Sequence, residues 1–372
     1  LARDPEVSQV LPAAGVAFAA AFLRSTNLQD LVRRELANEA ALSGFVRIDD
    51  RKSLRVLPRG VACHWIAGNV PLLGLFSWAL SALLGNVNVV RLSSRGDDFL
   101  SPILRLLAST SPHGKLLAAE TLVVQFPRED EQSHRTMSAA ADVRVAWGGR
   151  EAVEAVMALP ARWDCETVVL GPRMSLAVFD PALMTERTLA RLASDVAYFD
   201  QQACSSPQWV FVKRGQQPEL FDRVVRDFAN AFASQARTLG RHALDHGETY
   251  RTELDRARVL LDGGKLHRDE ETAWTVAVLD EPDQRLACAN RFVQLVPFED
   301  VEDIIRWIPS NVQTAVTLLD GDDHARFSEA AARRGVCRFP RPGEGNHFES
   351  PWDGIPLVSR LTRWSVRTEA PG

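Results

Sequence analysis

The sequence predicts an α/β protein built on a mostly parallel sheet, and three observations carry that expectation. From Leu54 onwards short β-branched runs alternate with longer segments of helical period, the rhythm of right-handed βαβ units. A composition of 46% apolar and 24% charged residues over 372 positions describes a globular chain, long enough for two domains on one polypeptide. No internal repeat or low-complexity tract interrupts the pattern.

Taken in order, Asp4–Asn38 is expected to be helical, with Val7, Val10, Leu11, Phe18, Phe22 and Leu23 at mixed three- and four-residue spacing. Val61–Ile66 reads as a strand, Ala67–Pro71 as a loop, and Leu72–Leu84 as a helix ended by Gly85-Asn86. Val87–Leu92 is the next strand, followed by a Ser-Ser-Arg-Gly loop and a helix near Phe99–Leu107. Thr121–Phe126 and Val143–Trp147 are further strands, the latter running through Gly148-Gly149 into a helix from Glu151. A second α/β stretch is expected to begin with strands at Glu166–Leu170 and Ser175–Phe179. Its helix, Met184–Phe199, leads through a polar loop to a strand at Trp209–Val212. Long helices follow at about Pro218–Ala236 and Leu244–Leu260, then βα alternation from Trp274 to Phe339 and a Gly/Pro-rich segment, Pro340–Gly354.

Composition also excludes functions. With 43 Lys+Arg against 48 Asp+Glu the net charge is −5, which argues against a strongly basic nucleic-acid binder. The longest apolar stretch, Val70–Gly85, is 16 residues and too short to span a bilayer. No charged segment leading into an apolar core and cleavage site opens the sequence, so the expected compartment is the cytoplasm. Five widely spaced cysteines without a C-x-x-C pair predict neither a disulfide framework nor a zinc site.

Four clusters stand out as candidates for chemistry. Cys204 lies in the polar turn Gln201–Pro207 between a long helix and a strand, where backbone N–H groups are left over to assist a thiolate; a small buried hydrophobe is the plain alternative. Asn69, in the βα turn Ala67-Gly68-Asn69-Val70-Pro71, puts an amide at the mouth of the sheet or simply caps a helix. Arg91-Leu92-Ser93-Ser94-Arg95-Gly96 offers guanidinium and hydroxyl groups to a phosphate, or forms a solvated loop. Trp147-Gly148-Gly149 makes a strand-to-helix turn suited to a dinucleotide, without the full G-x-G-x-x-G fingerprint. His242 and His246 lack an acidic third ligand at the right spacing, and Gly343–His347 either lines a cleft or forms an exposed loop.

In combination these clusters resemble the aldehyde dehydrogenase superfamily, and more closely the acyl-CoA reductases typified by the fatty-acid reductase component of bacterial luminescence systems. The similarity runs from about Leu54 to Trp364. Asn69 stands at the oxyanion donor of the superfamily's Pro-Trp-Asn-x-Pro loop, and Asp200-Gln-Gln-Ala-Cys204-Ser-Ser-Pro matches its Gly-Gln-x-Cys nucleophile. Gly85-Asn86-x-x-Val-Val-Arg91-Leu-Ser93 matches the strand ending in a cofactor-binding Lys-Pro-Ser, and Ser350-Pro-Trp-Asp-Gly354 resembles the reductases' Pro-x-Asp-Gly.

The resemblance implies an aldehyde dehydrogenase-like fold in which a Rossmann-like cofactor domain accompanies an α/β catalytic domain. N-terminal helices and the NADP-binding domain would occupy residues 1–168, the catalytic domain with the nucleophilic Cys 169–345, and a tail returning to the cofactor domain 346–372. It implies Cys204 and Asn69 as catalytic, and Ile66, Ala67, Arg91, Ser93, Trp147, Gly148, Gly149 and Gly171 as cofactor-binding.

Departures from the family pattern narrow the chemistry. Hydrolytic relatives carry a water-activating Glu in a Leu-Glu-Leu-Gly-Gly-Lys run, and here Val169 stands in its place. Cys288 and Asn290 replace the Glu-x-Phe that grips the nicotinamide ribose. Ser94, flanked by Arg91 and Arg95, replaces a ribose-binding Glu, and this favours NADPH because a carboxylate there repels a 2′-phosphate. The implied activity is NADPH-dependent reduction of an acyl-CoA or acyl-carrier-protein thioester to the aldehyde through acyl-Cys204. The alternatives are an oxidative aldehyde dehydrogenase, an acyltransferase, or a non-catalytic subunit of a multi-enzyme complex. A homo-oligomer or partner enzymes stay open; nucleic acid, metal and a membrane span are not expected.

Overall fold

Among the described residues, fourteen strands form three sheets in the computed structural model: β1 (Val46–Arg47), β2 (Lys52–Pro58), β3 (Val61–Trp65), β4 (Val87–Leu92), β5 (Thr121–Gln125), β6 (Val143–Trp147), β7 (Glu166–Leu170), β8 (Met174–Phe179), β9 (Pro207–Lys213), β10 (Lys265–Arg268), β11 (Thr275–Val278), β12 (Phe292–Phe298), β13 (Val312–Leu318) and β14 (Thr362–Thr368). The structure describes residues 1–368 except 2–3, 12, 37, 69, 71, 95–97, 216–217 and 240–243. Two units divide the chain, one of Leu1–Pro172 with Phe348–Gly372 and one of Arg173–His347.

The first unit holds a parallel sheet in the order β5-β4-β3-β6-β7. The chain builds from β3 outward through β4 to β5, then returns to β6 and builds the other way, so strand order reverses between β3 and β6. Such a reversal leaves a crevice beyond the carboxyl ends of the strands, because the connecting helices leave towards opposite faces. The helix Leu73–Leu83 is buried from Gly74 to Ser81. Gly74 permits that depth, since a Cβ there would meet Leu92 Cδ2 at 3.3 Å. The helix ends at Gly85 with φ +84°, a conformation that costs glycine little. The next residue, Asn86, is buried, with Oδ1 accepting the Gly60 N–H at 3.1 Å and Nδ2 donating to the Leu361 carbonyl at 3.1 Å.

The second unit carries a six-stranded sheet in the order β10-β11-β12-β9-β8-β13, parallel except for β10. Side chains of β9 alternate between its two faces: Trp209 and Phe211 enter one apolar layer, Val210 and Val212 the other. The helix Pro218–Thr238 covers the second layer with Phe221, Val224, Val225, Phe228 and Phe232, a stripe at helical spacing. Burial of Phe228 and Phe232 contributes about 1.5–3 kcal/mol each.

Several sequence expectations shift. The single N-terminal helical segment is three helices, Pro5–Val10, Ala13–Phe22 and Ser25–Arg33, with a Pro in the sequence between the first two. Glu166–Leu170 closes the first sheet by pairing with β6 rather than opening the second, a matter of register that apolar pattern alone does not encode. The helix expected to reach Phe199 ends at Ala197. A small antiparallel sheet, β1-β2-β14, was not anticipated. Among the described residues no helix is long and apolar enough to cross a membrane.

Candidate active site

Cys204 sits where the helix Glu186–Ala197 gives way to β9. The helix does not simply stop: Phe199, Asp200 and Gln201 adopt φ of 54°, 52° and 63° in succession. Left-handed residues with side chains cost about 1–2 kcal/mol each, so the turn needs anchors. Asp200 pairs with the buried Arg291 at 2.8 Å, and Arg291 Nη1 also donates to the Ala236 carbonyl at 2.8 Å. Gln201 Nε2 donates to the Pro207 carbonyl at 3.0 Å, closing the turn across Cys204. The Cys204 carbonyl itself accepts the Ser175 hydroxyl of β8 at 2.6 Å. Gln201 thus holds a backbone conformation that glycine adopts at less cost.

The other cysteines have different surroundings. Burial pushes the Cys63 and Cys288 thiols up to about 12 each, so both stay protonated at neutral pH. Cys165 is raised in the same direction, again mainly by burial. No disulfide joins any of the five. Cys204 is half-buried and lies in the anchored polar turn.

In the first unit, the carboxyl edge of the parallel sheet gathers the residues assigned to the cofactor. Ile66 and Ala67 follow β3, Arg91 and Ser93 end and follow β4, Trp147, Gly148 and Gly149 end and follow β6, and Gly171 follows β7. Gly149 precedes the helix Arg150–Ala158, whose first turn has no side-chain cap, and a Cβ at Gly149 would meet nothing within 4 Å. Arg91 is half-buried, stacks over the Phe126 ring at 5.5 Å and donates through Nη2 to the Phe126 carbonyl at 2.9 Å. Its Nε is buried with no hydrogen-bond partner. An uncapped helix start, open space at Gly149 and an unpaired guanidinium N–H together fit the anionic part of a dinucleotide.

Trp147 faces inward: its indole N–H donates to Ser77 Oγ at 3.0 Å, so of that cluster the backbone of Gly148 and Gly149 is what borders the edge. Ser77 in turn meets His64 Nδ1 at 2.8 Å, and His64 Nε2 meets Asn88 Oδ1 at 3.1 Å. Burial lowers the His64 pKa to about 4, with the Asn88 bond opposing. Val169, at the position of the family's water-activating Glu, is partly buried against an apolar cluster with Cys63, Trp65 and Val153. Asn69, Arg95 and His242 lie outside the described residues, and among the described residues no cluster of His, Cys, Asp and Glu is arranged to hold a metal ion.

Sequence reasoning passed over Ser175, Asp195 and Arg291, and took in Asn346 only as part of the Gly343–His347 segment. The Gly343–His347 segment, expected to line a cleft or to form an exposed loop, is anchored in part: Glu344 and His347 are exposed, whereas Asn346 is 5% exposed and the Asp195 carboxylate accepts the Gly343 and Gly345 N–H groups at 2.6 and 3.2 Å. Burial raises Asp195 to about 7 despite those two bonds.

Residues 3–364 match the family described as acyl-CoA reductase (LuxC). A long-chain acyl-protein thioester reductase from Photorhabdus luminescens is 26% identical over 341 residues, covering 91% of this chain and 69% of that protein. Among solved structures, aldehyde dehydrogenase 21 from Physcomitrella patens, in complex with succinate, superposes with a TM-score of 0.69 at 15% identity, covering 99% of this chain and 82% of that one. A mutant of aldehyde dehydrogenase C from Pseudomonas syringae, in complex with NAD+ and octanal, gives 0.61 at 14% identity over 97% and 79% of the two chains. The fold is that of the aldehyde dehydrogenases, and the chain belongs to the acyl-CoA reductase (LuxC) family, enzymes that reduce an activated acyl group.

Proposed function

We propose that this chain reduces an acyl-CoA or acyl-carrier-protein thioester to the aldehyde through a covalent acyl-Cys204, with NADPH as reductant. The observation that carries this reading is the Cys204 turn: a half-buried thiol between three left-handed residues and a strand, tied down by Arg291 and Ser175. The Photorhabdus relative is named for a long-chain acyl-protein thioester, which supports the same substrate class here.

The Cys204 thiolate attacks the thioester carbonyl, forming a carbon–sulfur bond and moving the π pair onto oxygen. The Cys204 N–H and the Asn69 amide, by the resemblance, hold that oxyanion; one such donor is worth about 3–4 kcal/mol in the transition state. Collapse restores the carbonyl and expels the CoA or carrier thiolate. The NADPH pyrophosphate would lie against Gly148 and Gly149, with Arg91 and Ser93 towards the 2′-phosphate. Bound there, the cofactor supplies the two electrons that take the acyl group to the aldehyde level. Cys204 then leaves as thiolate and releases the aldehyde. Thiolates are good leaving groups, so no water-activating base is needed, consistent with the apolar Val169.

The test is NADPH consumption with a panel of acyl-CoA and carrier-protein thioesters, together with mass spectrometry of the acylated protein. Cys204→Ala and Cys204→Ser abolish both the adduct and NADPH oxidation. Retained turnover in either variant removes Cys204 from the reaction.

A further inference from the structure

Both residues after the thiol are held by one amide. Ser205 Oγ donates to Asn346 Oδ1 at 2.7 Å, and Ser206 Oγ lies 3.4 Å from the same oxygen. Asn346 Nδ2 donates to the main-chain carbonyl of Asp195 at 2.8 Å. Asp195 occupies the last turn of the helix that runs into the Cys204 turn, and it is 1% exposed. It grips the 343–346 segment twice, through its carbonyl on Asn346 and through its carboxylate on the Gly343 and Gly345 N–H groups.

The sequence is fitted to this grip. Gly343 has φ +93°, and a Cβ at Gly345 would lie 3.1 Å from Val316 Cγ2 and 3.2 Å from the Asp195 carboxyl carbon. Arg338 donates to the Gly345 and His347 carbonyls, fixing the far side of the same segment. A buried carboxylate is costly unless its hydrogen bonds are all made. Here its two acceptors are spent on aligning a segment whose next residue reaches the nucleophile turn.

We propose that Asp195 and Asn346 are positioning residues that set the reactivity of Cys204. The proposal rests on the reading of Cys204 as nucleophile. Ser175 fixes the Cys204 carbonyl from one side and Asn346 fixes Ser205 from the other, so the peptide carrying the thiol is held at both of its ends. Without the second anchor the left-handed run before Cys204 relaxes and the thiol samples several directions, which slows attack without weakening contacts made elsewhere to the substrate.

The experiment uses the full chain with Asn346→Ala, Ser205→Ala, those two combined, Ser205→Thr and Cys204→Ala. Two rates are read: iodoacetamide labelling of Cys204, followed by peptide mass spectrometry, and single-turnover acylation by a saturated acyl-CoA. Asn346→Ala and Ser205→Ala each lower both rates about ten-fold, with kcat falling and KM held within about two-fold, and the double variant is no slower than either single one. Ser205→Thr keeps the hydroxyl and recovers most of the loss, which a purely packing role for Ser205 does not predict. Should Asn346→Ala fail to fold, Ser205→Ala decides alone, since it removes one oxygen. Labelling and acylation at wild-type rates in Ser205→Ala overturn the proposal while the nucleophile assignment stands. Acylation that survives in Cys204→Ala overturns that assignment instead, and the labelling rates still judge the anchor.

Discussion

Acidification is expected to loosen the first unit through a single imidazole. Asn88 uses its amide nitrogen on the Asn86 carbonyl at 2.7 Å, so its oxygen faces His64 Nε2, which must carry the hydrogen. His64 Nδ1 is then the acceptor of the Ser77 hydroxyl, whose oxygen also accepts the Trp147 N–H. Neutral imidazole satisfies this run of hydrogen bonds from Trp147 to Asn88, whereas a second proton, on Nδ1, meets Ser77 Oγ only if the Ser77 hydroxyl turns away and gives up its acceptor.

The fall of the His64 pKa from 6.5 to about 4 converts to stability by linkage. The folded-state value is depressed, so the contribution is present above pH 6.5 and is lost as the pH falls through 4. A difference of 2.5 between those values amounts to about 3 kcal/mol in full. About 2–3 kcal/mol of it is gone by pH 4.5, a large share of the roughly 5–15 kcal/mol that holds a domain together. Hydrogen exchange of β3 and β6 peptides, corrected for the intrinsic rate, reads the loss as a roughly sixty-fold fall in protection between pH 7 and 4.5. In His64→Gln the same peptides are less protected at neutral pH, but this part of their pH dependence is gone. Equal pH slopes in the two proteins would refute the reasoning.

Other outcomes follow from the remaining groups. The Asp195 pKa is raised, to about 7, so its contribution is fully present below about 4 and is lost as the pH rises through 7. Peptides of the helix Glu186–Ala197 therefore change protection in the sense opposite to β3 and β6, and Asp195→Asn flattens that response. Arg91→Ala raises the KM for NADPH about ten-fold or more and leaves that for NADH nearly unchanged, as loss of a charge-assisted phosphate contact requires; equal effects on both cofactors remove Arg91 from the 2′-phosphate. Asn69→Ala lowers kcat about a hundred-fold or more with the thermal midpoint unaltered, and an undiminished rate ends its assignment as oxyanion donor.

Legibility in the sequence followed how locally each feature is encoded. Val87–Leu92 and Val143–Trp147 are strands to the residue, because a run of β-branched apolar side chains between turn signals has one stable use in a covered sheet. β2 and β14 carry charged residues on an edge sheet and pair across about three hundred positions, so neither period nor composition marks them. The Cys204 turn stood out through its polar residues, yet its anchors did not: Arg291 and Asn346 reach it from far along the chain, and nothing beside either residue signals the contact. Asp195 was hidden for a further reason. It lies within a helix of strong amphipathic period, where an acidic residue reads as solvent-facing until the glycines that bond it are seen.

The energetics of the turn explain why its anchors bear on rate more than on folding. Three left-handed residues cost about 3–6 kcal/mol. Against this stand four buried or part-buried hydrogen bonds, Ser175 to Cys204, Gln201 to Pro207, Ser205 to Asn346 and Asn346 to Asp195, worth about 2–6 kcal/mol together. The Arg291–Asp200 pair adds little net, because desolvating Arg291 consumes much of the attraction. The turn is thus close to balance, whereas the apolar layers on either side of β9 are worth many times any one of these bonds. Removing a single anchor leaves the unit folded but tips the local equilibrium towards relaxed turns, and the thiol is presented correctly for a smaller fraction of the time. On the proposed role of Cys204 as nucleophile, its geometry is maintained by residues distant in sequence, so that Asp195, Asn346 and Arg291 tune a rate that the cysteine itself makes possible.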